Sequence, residues 1–296
     1  MDLGLHTFAV SGVTTWLWFP PLVALLVSFF TSMCGLSGAF LLLPFQMSML
    51  GFVTPAVSAT NLVFNLIATP GGVYRYYREG RMLWPLVWVI LLATAPGVLI
   101  GFWVRVTWLR DPGKFMFFVS AVLLYLGLKL LRDNWRSRNQ GTPSVRGAKL
   151  EKVEWSRRGV VFRFGGETYG FGFVPMGILA TMVGVIGGIY GVGGGALIAP
   201  FCIALFRLPI HAIAGATLAG ALITSVVGVV IYSALPAPGG IPTGPDWALG
   251  LLFGMGGFVG MYLGARCQKF VPQRALTLVM GFLLTGLAAH YGLFGR

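Results

Sequence analysis

Gly191-Val192-Gly193-Gly194-Gly195, followed by Pro200, lies in a run of 39 residues between Glu167 and Arg207 that carries no charge. Written as one helix, that run would be about 58 Å long, roughly twice the hydrocarbon thickness of a bilayer. Glycine accepts positive φ at little steric cost, and proline removes a helical hydrogen bond. The run is therefore predicted to break or turn back inside an apolar environment.

The surrounding chain is of the same kind. It has 296 residues, 56% hydrophobic and 10% charged, with a mean hydropathy of +0.83. An ordinary soluble domain carries about 25% charged residues. These figures exclude a soluble enzyme, a disordered chain and a disulfide scaffold, and leave an all-α polytopic membrane protein. No charge appears in the 72 residues between Asp2 and Arg75, or in the 38 between Arg207 and Asp246. All eight acids fall at segment ends or in loops, so no carboxylate is expected mid-membrane. The first 74 residues lack the basic region of a signal peptide. Cys34, Cys202 and Cys267 have no metal-ligand spacing and read as small apolar filler.

The glycine break has an earlier counterpart. With Pro44 set on Pro200, Gly35, Gly38, Leu41 and Phe45 fall on Gly191, Gly194, Leu197 and Phe201. One inserted residue later, Ala59-Thr60 falls on Ala216-Thr217, and Gly97-x-x-x-Gly101 matches Gly260-x-x-x-Gly264. The predicted organisation is a first transmembrane repeat at 1–132, a basic cytoplasmic linker at 133–172 and a second repeat at 173–296. Repeats of this kind suggest a transporter. Within the linker, Val160–Tyr169 alternates around Gly165-Gly166 and predicts a small hairpin.

The net charge of +13 tests the relation between the halves. If each broken pair makes an even number of crossings, 71–81, 129–172, 207 and 266–274 share one side with 17 of the 21 basic residues. If each pair makes one crossing, the split is 14 to 7. The positive-inside rule favours the first arrangement, with inverted repeats, both termini extracytoplasmic and six or ten crossings. The basic linker could bind nucleic acid or anionic lipid, but it lacks interleaved stacking aromatics and reads as a topology anchor, so no nucleic-acid partner is expected. Arg105 and Arg266 follow the paired glycines and read as interfacial side chains reaching for water. The paired glycines themselves read as helix-packing positions.

A helix that starts inside the membrane leaves its first four N–H groups unpaired at the positive end of its dipole. Such a start is tolerated where protein or a polar cavity meets it, and it is a ready anion site. Asn61 and Asn65 share one helix face. That face should look into a cavity, where it could contact substrate, or onto a neighbouring helix. Ser37 and Thr217 could add donors. The candidate substrate residues are Gly35, Ser37, Gly38, Asn61, Asn65, Gly191, Gly193, Gly194, Gly195 and Thr217. His211 reads as a cytoplasmic interface histidine, with proton or anion binding as the other option. Walker A, HExxH, Ser/His/Asp and Cys/His signatures are absent from the sequence. An enzyme, a metal and a cofactor are therefore not expected, and an anionic substrate suits the interior better than a cation.

Gly191-Val192-Gly193-Gly194-Gly195 with Pro200, the weaker copy Gly35-Leu36-Ser37-Gly38 with Pro44, and Gly260-x-x-x-Gly264-Ala265-Arg266 resemble the TauE/SafE sulfite exporter family, also called the toluene sulfonate uptake permease family. The first copy departs from the pattern, with Ser37 for the middle glycine and Ala39 for the last. The resemblance implies a multi-pass carrier of small sulfur-containing anions, such as sulfite or organosulfonates, in a bacterial or archaeal inner membrane. The resulting expectation is a secondary transporter working by alternating access, in a bilayer and with room for a homo-oligomer. An anion channel and a membrane-embedded enzyme or maturation factor are the alternatives.

Overall fold

A computed structural model describes residues 5–136, 150–235, 237–239 and 243–294. Ten α-helices dominate the described residues: α1 (Phe19–Met33), α2 (Ala39–Ser48), α3 (Ala56–Arg78), α4 (Trp84–Thr107), α5 (Pro112–Arg136), α6 (Phe173–Tyr190), α7 (Gly194–Phe206), α8 (Ile210–Ala234), α9 (Trp247–Cys267) and α10 (Gln273–Phe294). A one-turn 3₁₀ helix, Gln268–Phe270, follows α9. Five helical stretches are long and apolar enough to cross a membrane: Trp84–Thr107, Pro112–Trp135, Phe173–Tyr190, Ile210–Ala234 and Trp247–Phe270. Their outward faces carry large apolar side chains such as Leu92, Phe117, Met182 and Met255. The chain is therefore a multi-pass membrane protein.

Two small sheets depart from the all-α expectation. β1 (Leu5–Thr7) pairs with β2 (Thr14–Trp16), and β3 (Leu150–Trp155), β4 (Gly159–Phe164) and β5 (Glu167–Gly172) form an antiparallel meander. The hairpin expected around Gly165-Gly166 is β4–β5, and both glycines take positive φ. The sequence pattern did not announce the third strand, because the face of Leu150–Trp155 is mostly exposed and does not alternate in polarity. Residues 137–149 of the expected linker lie outside the described residues.

The helices pack in a recurring scheme. α1 lies on α9 and α6 on α4, while α3 lies on α9 and α8 on α4. α3 packs on α8 at the centre, and α5 on α10 at the side. The paired glycines explain the first two contacts. A Cβ at Gly97 would sit 2.5 Å from the Thr181 carbonyl oxygen, and one at Gly101 would collide with the Val185 carbonyl. Gly260 and Gly264 meet the Leu25 and Phe29 carbonyls of α1 in the same way. The first helix of each sequence half thus packs on the fourth helix of the other half.

Hydrogen bonds define the two ends of the bundle. At one end the Arg81 guanidinium donates to the His211 carbonyl (2.8 Å) and to Gln268 Oε1 (2.5 Å), and Gln268 Nε2 donates to the Met33 carbonyl (2.6 Å). Glu79 there pairs with Arg75 and Arg81, and Asn134 of α5 donates to the Arg274 carbonyl. At the other end Asp246 caps α9 through Leu249 N–H (3.1 Å) and accepts from both Ser11 N–H and Ser11 Oγ. The Asp246 amide donates to Thr60 of α3. The first end gathers 75–81, the end of α5, the start of α8 and 266–274, which are the basic segments; Arg105 and Arg110 belong to the second. His211, in the first turn of α8, sits at the first end but is enclosed there. It is 1% exposed, with Nε2 3.3 Å from the Val271 carbonyl, because the connection from α9 to α10 closes over it.

The glycine contacts make a simple test. Gly97→Val should lower the melting temperature of the purified protein by the equivalent of about 1–3 kcal/mol, the cost of overpacking a close contact. Gly177→Ala, where an added Cβ meets nothing within 4 Å, should leave it unchanged or raise it.

Candidate functional site

The first break lies at 34–38, between α1 and α2. Gly35 has φ +67°, and its carbonyl accepts from Thr217 Oγ1 of α8 (2.8 Å). A Cβ on Gly35 would press on Ala214, and one on Gly38 would run into the Ser28 side chain. Ser37 Oγ accepts from Ala39 N–H (3.2 Å), satisfying an amide at the start of α2. Asn61 Nδ2 donates to the Ala39 carbonyl (2.8 Å), and Gln46 Nε2 to Asn61 Oδ1 (3.4 Å).

The second break lies at 191–193, between α6 and α7. Gly191 takes φ +75° and closes α6 with N–H bonds from Gly191 and Val192 to the Gly187 carbonyl. Gly193 takes φ +70°. Its missing Cβ would sit 2.8 Å from Thr224 Oγ1 and 2.9 Å from Ser225 Oγ. Asn65 Nδ2 of α3 donates to the Val192 carbonyl (2.7 Å), and Gly195 N–H donates to Thr224 Oγ1 of α8 (3.5 Å). A Cβ on Gly194 would press on Thr94, and one on Gly195 on the backbone of Gly220 and Ala221.

The two breaks meet. Asn61 and Asn65, one turn apart on α3, reach the start of α2 and the second break respectively. The Tyr190 ring stacks on Phe40 (5.6 Å), and its hydroxyl donates to the Phe40 carbonyl (2.9 Å). That carbonyl needs a partner because Pro44, four residues on, has no N–H to offer it. Thr217 and Thr224 on α8 serve the first and second breaks in turn. All ten predicted residues therefore lie at or against the two breaks. The donors of Asn61, Asn65 and Thr217 are engaged with backbone carbonyls rather than open. Among the described residues the buried Ser28 and Ser225 hydroxyls, beside Gly38 and Gly193, have no hydrogen-bond partner. An apolar cleft beside the first break is lined by Cys34, Leu36, Pro200, Ile210, Leu276 and Met280.

Several participants escaped the sequence reading. Tyr76 donates to the Ser32 carbonyl (3.1 Å) just before the first break, and Tyr232 to the Gly188 carbonyl (2.9 Å) just before the second. Gly35 and Gly191, Ser32 and Gly188, Tyr76 and Tyr232 are each 156 positions apart. So are Ser58, which blocks a Cβ on Gly191, and Ala214, which blocks one on Gly35. In the sequence alone an inserted residue set Thr60 on Thr217. The contacts keep the 156 spacing through α3 and α8 and set Asn61 there instead. The tyrosine pair was available as a signal at that constant spacing. Arg105 corrects an expectation outright: its side chain is fully buried over the Phe115 ring, not extended to water, while Arg266 is exposed.

The fold and site define a multi-pass membrane protein in which two helix starts converge inside the bundle, away from the carboxylates Glu79 and Asp246 at its ends. The chain belongs to the family described as sulfite exporter TauE/SafE, whose model matches residues 21–291. It is 22% identical over 265 residues to the probable membrane transporter protein YunE of Bacillus subtilis, covering 86% of this chain and 89% of that protein. It is 32% identical over 99 residues to the probable membrane transporter protein YdhB of the same organism, covering 33% of this chain and 38% of that one. No solved structure matches it significantly.

Thr217→Val keeps the side-chain shape but removes the hydroxyl that holds Gly35. It should cost about 1–3 kcal/mol of stability by leaving a buried carbonyl unpaired, read as a lower melting temperature. Gly191→Ala combines positive φ with a collision against Ser58 and should yield little folded protein on size-exclusion chromatography.

Proposed function

We propose that this protein is a secondary transporter of small sulfur oxyanions, sulfite or an organosulfonate, in the cytoplasmic (inner) membrane, and that it binds substrate between its two helix breaks. The observation that carries this reading is the convergence of the α2 and α7 starts on α3 and α8 in an interior without carboxylates. Within Gly35–Gly38 and Gly191–Gly195, the N–H groups of Gly35, Leu36, Gly191 and Val192 close α1 and α6. Those of Ser37, Gly38, Gly193 and Gly194, at the starts of α2 and α7, lie at the positive ends of two helix dipoles. Asn61, Asn65 and Thr217 hold the adjoining carbonyls in place, Ser37 steadies the start of α2, and the Ser28 and Ser225 hydroxyls are the donors ready for anionic oxygens.

The halves 1–132 and 173–296, joined by 133–172, form inverted repeats, each broken at its glycines. Supporting this, the helix pairings recur with a shift of five helices, and α1 ends toward the basic end while α6 ends toward the opposite one. Positive-inside bias then puts the basic end in the cytoplasm and both termini outside. Because α1 is glycine-packed on α9, and α6 on α4, the bodies that move in alternating access exchange their fourth helices. One holds α1, α3 and α9, and the other α4, α6 and α8. The seam between them is α3–α8, where the breaks meet.

Purified protein in liposomes should show saturable uptake of sulfite or methanesulfonate and accelerated exchange when the same anion is preloaded. No flux of any sulfur oxyanion above empty vesicles would contradict the reading, and non-saturating flux without counterflow would make it a channel. In a cysteine-free background, a thiol at Thr7 should label from outside intact cells and one at Ser156 should not; the reverse result would invert the orientation.

A further inference from the structure

Arg105 lies in the last turn of α4 and is fully buried. One guanidinium face covers the Phe115 ring at 3.8 Å, and Nη1 donates to the Leu109 carbonyl. Nε and Nη2 are buried and have no hydrogen-bond partner among the described residues, and no carboxylate among them pairs with the group. The helix dipole accounts for the bond to Leu109 but not for the two orphan nitrogens.

The other end of the bundle shows the balanced version of the same place. Four residues after the second paired glycine stands Arg105 in α4 and Gln268 after α9. Gln268 is neutral and satisfied at both amide atoms, and the cation it meets, Arg81, is paired with Glu79. Among the described residues no such counter-charge faces Arg105. An uncompensated cation buried in a membrane protein is costly, and it persists where an anion arrives to meet it.

Its position suits that task. Phe115, under the guanidinium, packs 6.4 Å from the ring of Tyr190, the residue before Gly191. Phe102, one turn before Arg105, meets the Tyr232 ring edge-on at 4.9 Å, and Tyr232 bonds the Gly188 carbonyl of the last turn of α6. Arg105 is thus one aromatic layer from the second break. Nε and Nη2 form the side-on fork with which arginine takes two oxygens of one anion, and stacking plus the Leu109 bond fix its plane.

We propose that Arg105 is a substrate-binding residue, its Nε/Nη2 fork receiving two oxygens of a sulfonate or sulfite on the opposite, non-basic side of the second break. This deepens the transport reading and rests on it. In detergent, methanesulfonate should raise the melting temperature of the wild type saturably. Arg105→Lys, which keeps the charge but loses the fork, should need roughly tenfold or more anion for the same effect, and Arg105→Gln should show none. An unchanged half-saturation in Arg105→Lys would overturn the proposal. Absent flux in wild-type liposomes, with this binding difference intact, would sink the transport reading and leave the anion site standing. If the variants do not fold, wild-type crystals soaked in bromomethanesulfonate decide: a bromine anomalous peak beside the fork is expected, and a peak elsewhere or none contradicts it.

Discussion

A backbone amide or carbonyl at a helix end inside a membrane must find a partner, because lipid offers none. The architecture is organised around two such ends. Each is satisfied partly from the other half of the sequence: Thr217 holds Gly35, and Asn65 holds Val192. Tyr76 and Tyr232 perform matching tasks from the third helix of each half's own hairpin bundle, at the carbonyls of Ser32 and Gly188. The breaks therefore depend on contacts that form only when the two halves are assembled.

The same interdependence governs the packing. Glycines at 97, 101, 260 and 264 bring helix backbones into direct contact with carbonyls of α6 and α1. Those contacts tie each half's fourth helix to the other half's first. In the proposed alternating access, the two bodies shift along the seam of α3 and α8, whose side chains carry the donors to both breaks. Polar residues on that seam are thus placed where a change in helix position would alter what the breaks present to a ligand.

Much of this was legible in the sequence. Charge-free runs longer than a membrane is thick pointed to a polytopic helical protein, and Gly191 and Gly193 fall where α6 ends at Tyr190 and α7 starts at Gly194. Paired glycines at a four-residue spacing announced close helix packing. What the pattern concealed depends on contacts across long sequence distances. Nothing local reveals that the Asn65 amide meets Val192, or that Tyr190 serves the carbonyl freed by Pro44. Arg105 misled for a physical reason: an arginine at the end of an apolar helix ordinarily reaches water, and only the ring of Phe115 and the turn at Leu109 show that this one is enclosed. The β3 strand was missed because an exposed edge carries no alternation.

Ser225 gives the most direct access to the central claim, that substrate occupies the space between the breaks. Among the described residues its buried hydroxyl has no hydrogen-bond partner, and it lies beside Gly193. With Cys34, Cys202 and Cys267 replaced, the labelling rate of Ser225→Cys by N-ethylmaleimide can be followed against methanesulfonate concentration. The account predicts that the rate falls to a plateau, with half-protection at the concentration that half-saturates transport. A rate that stays constant through saturating methanesulfonate, in protein that still transports it, would contradict a site at the breaks.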